Sequence, residues 1–142
     1  MYTIDASVHI NALNPTETGS AESQAFLAKV YQQALPVYSP TLLWVEVAAA
    51  LARVFDSSAQ GIALAQVLRI LPGHIWVPLD EELAGQASVI AAEYRLRGAD
   101  AVYAAVASRY QTTLVTTDQQ QINRLRPFLS VCLPADAPSP AS

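Results

Sequence analysis

The chain has 142 residues, 52% of them hydrophobic and 14% charged, with a formal net charge of −4. That length suits one domain with a sizeable core and is too short for two ordinary ones. Eight basic residues against twelve acidic ones argue against binding nucleic acid through a broad basic surface, though not through bound metal.

Residues 2–4 form a short apolar strand that runs directly into Asp5. Asn14-Pro15 marks a turn, because proline restricts the residue before it. A helix is predicted over 21–35, with Ser20 as N-cap and Phe26, Leu27, Val30 and Tyr31 on its apolar face; Pro36 ends it. A minimal strand follows over 37–39. Ser39-Pro40 then reads as a helix start, a capping hydroxyl followed by a first-turn proline, for a helix over 41–55. Asp56, Ser57 and Ser58 break it and cap a helix over 59–71. Pro72-Gly73 is a turn, 74–79 a strand, and Asp80 the cap of a long helix ending at Tyr94. Gly98 separates that helix from one over 100–110. A Thr- and Val-rich strand is predicted over 112–116, then Asp118, a short polar helix and a last strand over 128–133. The stretch 134–142 holds three prolines and few apolar anchors and is expected to be a disordered tail behind a single domain spanning 1–133. Strands alternating with helices predict an α/β fold built on a parallel sheet.

Cys132 is the only cysteine, so no internal disulfide is possible and a reducing compartment is expected. The chain opens with no basic-then-apolar leader and holds no run of roughly 18 apolar residues. A soluble, cytoplasmic protein with no membrane partner is expected.

Four acids recur in apolar settings: Asp5 in MYTIDASV, Glu46 in TLLWVEVAAAL, Asp100 in LRGADAVYAAVA and Asp118 in TLVTTDQQQI. Burying a carboxylate without a partner is costly. Asp5 and Asp118 follow strands, and in an open parallel sheet the strand C-terminal ends share the edge where ligands bind. Glu46 and Asp100 sit on helices that can each present one carboxylate to that edge. Carboxylates held close repel one another unless a cation joins them, and an all-oxygen set suits Mg²⁺ or Mn²⁺. Cys132, His9 and His74 make no ligand-spaced set for zinc. Ser7, Thr116 and Thr117 are placed to hold a water or orient a carboxylate. Each acid also has an ordinary structural reading, as a cap, a first-turn charge or a rim residue.

These four stretches, in this order over residues 1–133, resemble the PIN-domain family, and within it the VapC-type toxins of bacterial toxin–antitoxin pairs. The resemblance implies a three-layer α/β/α sandwich around a parallel sheet and Mg²⁺- or Mn²⁺-dependent endonuclease cleavage of RNA. It implies Asp5, Glu46, Asp100 and Asp118 as metal-binding catalytic acids, with Thr116 beside the last. It implies a small DNA-binding antitoxin as partner, an RNA substrate and a homodimer. The sparse basic residues depart from an RNA-cleaving pattern and confine expected substrate contacts to Arg95, Arg97 and Arg109. The alternative is a catalytically silent interaction domain on the same fold. An aspartyl phosphatase or a phospho-receiver domain is disfavoured because the only lysine, Lys29, lies in an early helix. A dinucleotide fold lacks its Gly-rich loop after the first strand. A flap-DNA nuclease would need substrate-threading additions that a chain this short lacks.

Overall fold

The structure, a computed structural model, describes residues 1–140. Strand β1 (Tyr2–Ile4) is followed at once by α1 (Ala6–Ala12), then α2 (Ser20–Gln32) and β2 (Val37–Pro40). Helices α3 (Leu42–Val54) and α4 (Ser58–Ile70) lead to β3 (His74–Val77), and α5 (Glu81–Tyr94) and α6 (Gly98–Tyr110) lead to β4 (Thr113–Val115). Helix α7 (Gln119–Leu125) and β5 (Val131–Cys132) complete the sheet. All pairings are parallel, in the order β3-β2-β1-β4-β5. Helices cover both faces, so the fold is the expected α/β/α sandwich with a central parallel sheet. Among the described residues no helix is long and apolar enough to cross a membrane.

Alternation along the strands separates the two layers. Tyr2, Ile4, Val37 and Val115 pack with Val8 of α1 and with Phe26 and Val30 of α2, the Tyr2 and Phe26 rings meeting edge-on at 5.3 Å. On the other side Leu114 joins the larger core built on α6, where every residue from Ala101 to Ala107 is buried. Four of those seven are alanines, which lets the helix lie close to the sheet. Helices α3 and α4 form a hairpin pressed together at Gly61. A Cβ there would lie 2.5 Å from the Ala48 carbonyl and 2.9 Å from the Ala52 Cβ, so only glycine fits.

The structure departs from the sequence reading at three places. Asp5 opens helix α1, which the sequence reading omits: its side chain accepts the Ser7 backbone N–H, the usual satisfaction of a free helix-end donor. Ser39 and Pro40 belong to β2, not to a helix start; Ser39 pairs in register with Trp76 and Pro40 with Val77. The disordered tail predicted from Pro134 does not begin there. Pro134–Asp136 form a 3₁₀ turn packed on α2, the Tyr2 hydroxyl donates to the Pro138 carbonyl, and Lys29 Nζ lies 3.1 Å from Ser139 Oγ. Residues 141 and 142 of that predicted tail lie outside the described residues.

A line of polar side chains crosses the interior beneath β2. The Tyr31 hydroxyl lies 2.8 Å from His9 Nε2 and 3.0 Å from His74 Nε2, and His74 Nδ1 lies 2.9 Å from Ser39 Oγ. The His74 ring stacks on Trp76 at 4.7 Å. Burial, with the His74 charge adding to it, lowers the His9 pKa to about 3, and burial lowers that of His74 to about 4. Both rings are therefore neutral in the folded protein at physiological pH. Their contribution to stability is complete above their ordinary value of 6.5 and is lost as pH falls toward those lower values. Tyr31→Phe leaves the buried His9 Nε2 and the half-buried His74 Nε2 without this partner and is expected to lower the unfolding free energy by about 1–3 kcal/mol at pH 7, measured by urea denaturation.

Candidate active site

Strand β1 is the topological switch point of the sheet. The chain leaves it toward β2 and β3, then returns across to β4 on its other side. The C-terminal ends of β1 and β4 therefore border the crevice in which open α/β sheets place their ligands. Asp5 is the first residue beyond β1, and its backbone N–H is tied to the Val115 carbonyl of β4 at 2.9 Å. The residue is only 5% exposed. Oδ2 accepts from the Ser7 backbone N–H at 3.3 Å and from the Thr116 hydroxyl at 3.2 Å.

Thr116 is fully buried one residue beyond β4. Besides facing Asp5, its hydroxyl oxygen accepts the Asp118 backbone N–H at 3.2 Å and lies 2.7 Å from Gln121 Oε1. Ser7 Oγ is 3.3 Å from Thr116 and accepts the Thr117 backbone N–H at 3.1 Å. The predicted hydroxyls Ser7 and Thr116 thus stand beside Asp5, whereas Thr117 contributes its backbone. Asp118 caps α7: Oδ1 accepts from the N–H groups of Gln120 at 2.9 Å and Gln121 at 3.3 Å.

Glu46 projects from α3 toward the same crevice and accepts a hydrogen bond from the Tyr103 hydroxyl at 2.6 Å. Tyr103 is completely buried in α6. Asp100 lies in the first turn of α6, one helical turn ahead of Tyr103, and pairs with Arg97 at 3.2 Å. The Arg97 guanidinium also lies 3.6 Å from Asp118 Oδ2. A cleft of about 250 Å³ opens here, walled by Arg97, Asp100, Asp118, Gln120, Gln121 and Arg124.

The charges report the convergence. Burial raises the Asp5 pKa to about 6, and the charges of Asp100 and Glu46 push the same way. Burial also raises Glu46, with Asp100 adding to it, while the Tyr103 hydrogen bond and Arg97 oppose. Asp5, Glu46 and Asp100 therefore sense one another, and Asp118 is joined to Asp100 through Arg97. The expected basic contacts are corrected in part. Arg97 is at the site, but Arg109 pairs with Gln86 and Glu82 at the far end of α6. The Arg95 side chain turns back onto the Ala92 carbonyl of its own helix. Arg124 takes a place in the cleft instead. Tyr103 and Gln121 are the functional residues that sequence reasoning gave no role in the chemistry. The three-residue spacing from Asp100 hints at the first, and nothing in a run of three glutamines singles out the second.

The sequence profile of the PIN domain matches residues 2–126. The chain belongs to the PIN-domain family. A search of curated protein sequences gives no match. Several solved PIN-type structures share the fold at low identity. Mycobacterium tuberculosis VapC20, described as a sarcin–ricin-loop-cleaving toxin, is 15% identical with a TM-score of 0.72 over 87% of this chain and 94% of that one. VapBC2 of Rickettsia felis, solved bound to a promoter DNA fragment, is 12% identical with a TM-score of 0.68 over 93% and 97%. A toxin–antitoxin complex of Klebsiella pneumoniae is 17% identical with a TM-score of 0.65 over 94% and 98%.

In this PIN domain the donor chemistry fits a hard divalent cation: the set is all carboxylate oxygen, partly desolvated, and mutually repulsive. The spacing is looser than a closed centre. Among the described residues no three His, Cys, Asp or Glu side chains are gathered tightly enough to hold a metal as they stand, and Arg97 supplies the positive charge between Asp100 and Asp118.

Asp5 gives a signed stability test. Its folded pKa of about 6 exceeds the ordinary 3.8, so its stabilising contribution is present below the ordinary value and is lost as pH rises through about 6. At pH 7.5 without metal, Asp5→Asn is expected to be about 1–2 kcal/mol more stable than the parent. That gap should close below about pH 4; thermal melts at both pH values check it.

Proposed function

We propose that this PIN domain is a Mg²⁺- or Mn²⁺-dependent endoribonuclease that hydrolyses RNA phosphodiester bonds as the toxin of a type II toxin–antitoxin pair in the cytoplasm. One observation carries the reading. Asp5 is shut into the crevice at the sheet's switch point, its ionisation opposed both by burial and by the charges of Glu46 and Asp100. A fold gains nothing in stability from such an arrangement; a cation at that point relieves it.

Asp5, Glu46, Asp100 and Asp118 would hold the metal. Bound there, Mg²⁺ or Mn²⁺ would polarise the scissile phosphoryl group and lower the pKa of an attacking water. The protein's own side chains prepare that place. Tyr103 donates to Oε1 of Glu46 and so fixes that side chain. Ser7 and Thr116 hold Oδ2 of Asp5 and so orient its carboxylate. Asp118 spends Oδ1 on the end of α7 and keeps Oδ2 for the cleft. The Arg97 side chain is 81% exposed, so it can swing from the two aspartates to a substrate phosphate.

The solved relatives support the choice of partners. VapC20 cleaves the sarcin–ricin loop, the Klebsiella structure is a toxin–antitoxin complex, and the Rickettsia VapBC2 is bound to a promoter DNA fragment. A small DNA-binding antitoxin is accordingly proposed here, together with a homodimer. The α3–α4 hairpin leaves Val45, Ile62, Val67 and Ile70 exposed, an apolar surface suited to either contact.

One observation favours the silent interaction domain instead: Arg97 already partners two of the four acids. The two readings separate by experiment. Purified protein with Mn²⁺ is expected to cleave single-stranded RNA, and excess chelator is expected to abolish the activity. Asp5→Asn and Asp118→Asn should remain folded and lose about 100-fold or more of the cleavage rate. No Mn²⁺ binding by calorimetry, and no cleavage by protein freed of antitoxin, would establish the interaction domain.

A further inference from the structure

Strand β3 ends one side of the sheet and pairs only with β2. The hydrogen bonds at its two ends fix which backbone groups it spends there. The Val37 N–H donates to the Gly73 carbonyl at 2.9 Å and the Thr41 N–H to the Val77 carbonyl at 3.0 Å. Alternate residues of a strand turn their backbone groups to the same neighbour, so Gly73, Ile75 and Val77 face β2 in this register. His74 and Trp76 turn their N–H and C=O groups outward. Among the described residues no strand lies beyond them, and neither backbone bonds elsewhere.

Open edges are commonly guarded by charge, and this one is not. From Pro72 to Leu79 the chain holds no Asp, Glu, Lys or Arg. Ile75, at the centre, is 43% exposed. On the opposite face the His74 and Trp76 rings stack at 4.7 Å and Trp44 meets Trp76 at 5.0 Å. Ile70 lines the same open pocket and is 83% exposed. Length is what limits the edge, because Pro72 and Pro78 bracket it and proline has no N–H to offer a ladder.

The free groups are symmetric about Ile75. An antiparallel second copy of β3, with the two Ile75 residues opposite each other, sets His74 against Trp76 of the partner subunit and Trp76 against His74 of the partner subunit. Each such pair exchanges two hydrogen bonds, so every outward N–H and C=O of the edge is satisfied. A two-residue slip either way sets His74 or Trp76 against a proline. The two Ile75 side chains become direct neighbours on one face, and the two His74–Trp76 stacks meet on the other. An unrelated extended peptide has no cause to match this symmetry or to stop at the prolines.

We propose that the chain forms a two-fold dimer by antiparallel pairing of β3 with β3 of a second copy, centred on Ile75. Such an interface uses the same patch on both molecules and closes on itself. The inference rests on the homodimer proposed above, whose surface it names, and is independent of whether the site cuts RNA. Because the paired strands run in opposite directions, the two acidic crevices open at opposite margins of the joined sheet.

Sedimentation and hydrogen exchange test it. The full chain, purified free of other proteins, is expected to sediment as a dimer. Ile75→Lys brings two like charges together on the axis and should weaken dimerisation about 100-fold or more. Ile62→Lys, in the first half of α4, should leave it within about twofold. In the parent dimer the His74 and Trp76 amides should be protected from hydrogen exchange, a reading that needs no variant. A chain that stays monomeric at every concentration overturns the proposal and the homodimer with it. A dimer that Ile75→Lys leaves intact, or one whose His74 and Trp76 amides exchange freely, overturns the β3 pairing alone and moves the homodimer to another surface.

Discussion

The buried carboxylate of Asp5 is the constraint around which the other site residues are arranged. It is held by a backbone N–H from its own helix and by a hydroxyl from the far side of β1. Those bonds favour its charged form, yet desolvation dominates and the pKa rises. Glu46 meets the same conflict more mildly, softened by Tyr103. The arrangement keeps negative charge where a fold selected for stability alone would place apolar side chains. The positive group the structure itself places there is the exposed Arg97 guanidinium, which pairs with Asp100 and Asp118.

Three of the four acids serve a structural purpose as well. Asp5 and Asp118 each close the open end of a helix, and Asp100 lies in the first turn of α6, where the helix dipole favours a negative charge. Capping and ligation are compatible because a carboxylate has two oxygens. At Asp118 the division is explicit: Oδ1 serves the helix and Oδ2 faces the cleft. For these three acids the ordinary structural role is real, and it also fixes where the carboxylate sits.

Much of this was legible in the sequence because the acids interrupt apolar segments whose periodicity shows where they must point. The parallel α/β architecture followed from alternating strands and helices, and the helix ends at Ser57 and Asp80 from their capping side chains. What escaped was set by long-range pairing. Helix α1 is only seven residues long and includes Val8 and Ile10, which locally favour a strand, so it emerges only once Asp5 is fixed beside β4. Ser39-Pro40 carries a local helix-start signal that pairing with β3 overrides. Proline is tolerated at the end of β2 because pairing with β1 is confined to Val37, so no ladder donor is needed on that side. The Tyr103–Glu46 bond spans 57 positions and has no local signature. The order of residues 134–139 likewise depends on Tyr2 and α2, which composition does not reveal.

Gly61 gives the α3–α4 hairpin a consequence beyond packing. The two backbones touch where no side chain intervenes, and the contact at Ala48 lies two residues from Glu46. Helix α3 is thus braced from the side facing away from the crevice, and the reach of its glutamate is governed by an uncharged point of contact. A methyl group added there would act as a wedge: it would pry the hairpin apart and tilt the carboxylate off its mark without touching any ionisable group. The precision of the acidic crevice is in this sense borrowed from the smallest residue in the chain.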